Sequence, residues 1–88
     1  MPYIKAEKRP ALDAWLIPLV DVLRLMPVSE RDGLVNFCIT RMLHELYPEN
    51  YASFNAALGV LEAAKLEFYR RRVAPYEDLK ITDNGDVQ

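Results

Sequence analysis

With 88 residues, 51% of them hydrophobic and 27% charged, the chain is of a size and composition for one globular domain and not for a disordered segment. A net charge of -2 argues against a general nucleic-acid coat, which needs a surplus of Lys and Arg to neutralise phosphate. No apolar run approaches the ~20 residues of a membrane-spanning helix, and a single cysteine, Cys38, rules out an internal disulfide or a multi-cysteine metal site.

The opening MPYIKAEKRP lacks the apolar centre of a secretory leader. Together with the lone cysteine, this sets a cytoplasmic expectation. Pro10 at a first helical position opens a helix over about 10–26, and Pro27 closes it. Leu12, Leu16, Leu19, Leu23 and Met26 recur at spacings of one helical turn and make one apolar stripe. Pro18 lies inside that helix and is expected to kink or divide it, since it removes a donor and crowds the preceding turn.

Ser29, followed by Glu30, Arg31 and Asp32, resembles an amino-terminal cap for a second helix over about 29–46. Its stripe is Val35, Ile39, Met42 and Leu46, widened by Leu34, Cys38 and Leu43. Cys38 on that apolar side reads as a structural thiol. The Tyr47-Pro48 step ends the helix, because a residue before proline is pushed out of the α region.

A third helix is expected over about 49–73. Tyr51 to Leu61, YASFNAALGVL, carries no charge on any side. Such a helix must be surrounded by protein, and a chain this small has little with which to surround it. Tyr51, Phe54, Leu58, Leu61 and Phe68 cover one side. Ala52, Ala56, Gly59 and Ala63 form a nearly opposite row of small residues that lets another backbone approach closely. The row suits either a tight contact inside the chain or a symmetric contact between protomers, and it is the candidate oligomer interface. Beyond Pro75 the pattern loses helical periodicity. Residues 74–88 are expected to form an irregular tail, with Lys80-Ile81-Thr82 extended and a turn at Asn84-Gly85.

The sequence offers little catalytic chemistry. His44, the only histidine, has no nucleophile or second metal ligand at a useful spacing. Gly33, Gly59 and Gly85 are too far apart for a phosphate loop. Lys65 lies at the centre of an apolar arc and is expected to pair with Glu62, while Asn55, Glu62 and Tyr69 line one edge where a hydrogen-bond ladder could form. Arg70, Arg71 and Arg72 end the helix where cations favour the dipole, and a salt link to Glu77 and Asp78 is open to them. With Tyr69, Tyr76 and Lys65 they are alternatively candidate ligand-binding or partner-binding residues, guanidinium forks holding phosphate and rings stacking on a base.

The run Asn55-x-x-x-Gly59-x-Leu61-Glu62-x-x-Lys65-Leu66-Glu67-Phe68-Tyr69-Arg70-Arg71 is followed by Pro75-Tyr76-Glu77-Asp78-x-Lys80-Ile81 and Asn84-Gly85-Asp86-Val87. It resembles a family of small uncharacterised proteins of bacteria and their phages, with Met1-Pro2-Tyr3-Ile4-Lys5 and Ile39-Thr40-Arg41 adding to the likeness. The resemblance implies an accessory protein of phage or prophage context and carries no catalytic residues.

The expectation is therefore one all-α domain, a small three-helix bundle with an irregular tail that forms a homo-oligomer. Its function is that of a non-enzymatic interaction module with a protein partner, without cofactor or metal. The alternative is a binder of a small anionic ligand such as a nucleotide.

Overall fold

The computed structural model describes residues 2–88, and every regular element among them is helical. After a 3-10 turn at Ala6–Lys8, helix α1 runs Arg9–Leu25 with Pro10 in its first turn, where a missing N–H costs nothing. Contrary to expectation, Pro18 does not divide α1, which continues through it. The end comes at Met26, extended at ψ 157° as required before Pro27.

Ser29 does not cap the second helix. It lies within a second 3-10 turn, Val28–Glu30, closed by the Glu30 amide on the Pro27 carbonyl at 3.0 Å. Helix α2 then runs Arg31–Leu46 and stops at Tyr47, again extended before a proline. Helix α3, Tyr51–Phe68, starts from Asn50, whose side chain accepts the Ser53 amide at 2.8 Å.

The tail departs most from the sequence reading. Helix α3 passes into a five-residue π turn, Tyr69–Val73, where the Ala74 amide reaches back to the Tyr69 carbonyl. Helix α4 follows directly, Ala74–Asn84. Residues 74–84 are thus helical, not irregular, and Lys80-Ile81-Thr82 is not extended. The reason is local. Pro75 falls within the first two positions of α4, and the widened turn before it takes up the break in α-type bonding that proline imposes. Glu77 in the first turn suits the dipole, and the Lys80 ammonium sits 5.3 Å from the centre of the Tyr76 ring one turn below. Gly85 stops the helix at φ 88° and ψ 152°, a conformation open almost only to glycine, and its amide caps the Ile81 carbonyl at 2.8 Å.

These helices leave each other unusually exposed. Ala57 is the one buried side chain among the described residues. Leu23, Leu34, Cys38, Leu43, Tyr47 and Leu61 are half-buried. The radius of gyration is 16.7 Å, where a compact chain of this length has about 12 Å. The accessible surface is 8083 Å², against about 5,300 Å² for a folded monomer of this mass.

Candidate functional site

Helix α1 carries a second apolar stripe beside the one read from the sequence. Trp15, Pro18, Val22 and Leu25 are spaced by one turn each and lie on a flank of the Leu12–Leu16–Leu19–Leu23 face. Leu23 is half-buried, while Trp15 is 82% and Leu25 88% exposed. Asp13 and Arg24 lie on a different side of α1 at 100° per residue and Asp21 borders the stripe one turn before Leu25, so none of the four stripe positions is charged. The signal was visible in the sequence as a 3, 4, 3 spacing, but it ran beside a stronger stripe with the same period.

A groove of about 590 Å³ lies between the end of α2 and the first half of α3. Leu43, Tyr47, Phe54, Ala57 and Leu58 supply its apolar lining, and Thr40, His44 and Glu49 its polar positions. His44 is exposed and lines this groove. The small-residue row lies on the far side of α3. Ala52, Ala56 and Gly59 are exposed, Ala63 is half-buried, and a Cβ on Gly59 would meet nothing within 4 Å. The tight contact inside the chain that the row could have made is therefore not made at Gly59.

The candidate ligand residues are not brought together. Lys65 pairs with Glu62 across one turn at 3.2 Å, as expected for that pair. Glu62 is thereby engaged with Lys65, and no hydrogen bond joins Asn55, Glu62 and Tyr69 into a ladder among the described residues. Arg70 turns back to Glu67, its Nη2 donating to Oε1 at 3.0 Å and Oε2 at 3.2 Å. It also donates to the Tyr3 hydroxyl at 3.1 Å. That hydroxyl in turn donates to Glu67, tying the amino-terminal segment to the end of α3. The expected link from the arginines to Glu77 and Asp78 does not form among the described residues; Arg71 and Arg72 carry no ion pair there.

Electrostatics follow this arrangement. The Tyr3 hydroxyl, with Arg70 and Arg71, holds the Glu67 carboxyl below its ordinary value against the opposing effect of burial. Glu67 in turn raises the Arg70 guanidinium. Across the π turn, Glu77 pushes the Tyr69 phenol up, with Asp78 adding to it. Tyr3 and Glu67 were missed as a functional pair because nothing in a linear pattern links positions 64 residues apart.

No group of three or more metal-ligating side chains occurs among the described residues, and no helix among them is long and apolar enough to cross a membrane. A family model for a domain of unknown function matches residues 1–87. No curated protein and no solved structure matches the chain.

Proposed function

The chain belongs to the family of unknown function DUF6899, and we propose that it is a non-enzymatic helical interaction module that works as a homo-oligomer. One observation carries this reading. The chain exposes about 2,800 Å² more than a folded monomer of its mass, and much of that surface is large apolar side chains on α1 and α3. Covering only half of the excess on each of two copies removes about 2,800 Å² in total, within the ~2,000–5,000 Å² of obligate homodimers. Small domains commonly complete a thin core in this way.

The open row Ala52–Ala56–Gly59 adds a second surface on which a neighbouring helix can approach closely. An accessory role in a bacterial or phage setting agrees with the family likeness. Binding of a small anion is the weaker reading, since Lys65 and Arg70 are each committed to a glutamate.

Sedimentation velocity or light scattering at micromolar concentration tests the proposal. A dimer or larger species is expected. A stable monomer with a hydrodynamic radius fitting a compact chain would refute it, because the helices would then have closed on themselves.

A further inference from the structure

We infer that the groove between α2 and α3 is the seat for α1 of a second copy of this chain, entered by the stripe Trp15, Pro18, Val22 and Leu25. This inference rests on the self-association proposed above and names the surfaces that perform it.

The two surfaces complement each other in chemistry and size. The four stripe residues are themselves uncharged, with Asp21 at their border and Glu49 on the groove, so the apolar centre can be buried while the charges stay at the rim. The groove presents Leu43, Tyr47, Phe54, Ala57 and Leu58 around about 590 Å³, in the range of sites that enclose a large aromatic group with its neighbours. Trp15 is the largest side chain the chain leaves open to solvent, and aromatic anchors of this kind dominate interface energetics once desolvated.

A second copy is the occupant because the same chain carries both halves. One protomer's α1 fills its partner's groove while its own groove receives the partner's α1. That is the self-complementary contact of a two-fold dimer. A different protein would cover only one of the two and leave the other exposed on each chain. Leu23, the half-buried residue of α1, lies on the neighbouring face and not in the inserted stripe.

The test uses two single substitutions and the chain's one tryptophan. Trp15→Glu spoils the stripe and leaves the groove; Leu58→Glu spoils the groove and leaves the stripe. Each alone is expected to weaken self-association roughly 30-fold or more, with helical content by circular dichroism retained. Mixing the two is expected to recover association in part, because one of the two contacts then joins an intact stripe to an intact groove while the other stays spoiled.

On the unsubstituted chain, Trp15 emission is expected to be blue-shifted in the dimer and to move to the red on dilution through the dissociation range. If both variants associate as well as the parent, or their mixture stays monomeric, or Trp15 emission ignores dissociation, the assigned surfaces are wrong while the homo-oligomer stands. If the parent is monomeric throughout, the underlying proposal falls instead.

Discussion

Glu67 accepts hydrogen bonds from a residue at the start of the chain and from one a turn further along its own helix, and its side chain is only 22% exposed. Its lowered pKa makes this contact a source of pH-dependent stability with a definite sign. The folded state holds the proton less tightly than the unfolded state, so the contribution is whole above the carboxyl's ordinary value near 4.5 and is lost as pH falls through the depressed folded value. Thermal melts at neutral and strongly acid pH should therefore show Glu67→Gln losing less stability on acidification than the parent. A second residue-scale expectation concerns Asn50, whose carboxamide oxygen takes the Ser53 amide. Asn50→Ala should cost about 1 kcal/mol in a denaturant titration, the usual worth of such a cap.

At the scale of elements, Gly59 separates a helix that merely tolerates glycine from one that uses it. A methyl group there meets nothing within the chain, so Gly59→Ala should raise the intrinsic stability of α3 by about 1 kcal/mol. If the small row meets a neighbouring protomer, as proposed, the same change should shift association to higher concentration. Sedimentation and circular dichroism on one variant therefore report opposite signs. The ends of α1 and α2 were legible because proline dictates them: Pro27 and Pro48 force the preceding residue out of the helical region. Pro75 misled for the same reason. Proline reads as a stop unless the turn before it can widen, and whether Tyr69–Val73 adopts i to i+5 bonding depends on a backbone choice that no side-chain spacing announces. Likewise the pairing of Arg70 with Glu67 could be read as a helical neighbour, whereas Tyr3 required knowing where the amino-terminal segment lies.

For the molecule as a whole, self-association as proposed above would add the cover that the thin interior around Ala57 and the exposed faces of α1 and α3 lack. Obligate oligomers have a melting temperature that depends on protomer concentration. A hundredfold dilution should thus lower the midpoint of thermal unfolding measurably, and Trp15→Glu should move that dependence to higher protomer concentration. What the sequence disclosed at this scale was a charge-free Tyr51–Leu61 run, which the fold leaves largely exposed. Which of two equally periodic stripes on α1 is left the more exposed was not legible there, and only the fold distinguishes them.

Pro18 stands in the middle of the outward stripe and has no amide to give. The carbonyl of Ala14, one turn back, is consequently deprived of its usual α-helical donor on a surface that is otherwise oily. Water serves it while the face is open. Any surface that closes over it must bring a donor to that one spot or retain a water there, since stranding a carbonyl costs about 1–3 kcal/mol. Sliding a partner helix by one turn would keep the greasy contacts and lose the donor. A proline that did not break its helix therefore supplies a polar address, giving an apolar strip a preferred alignment.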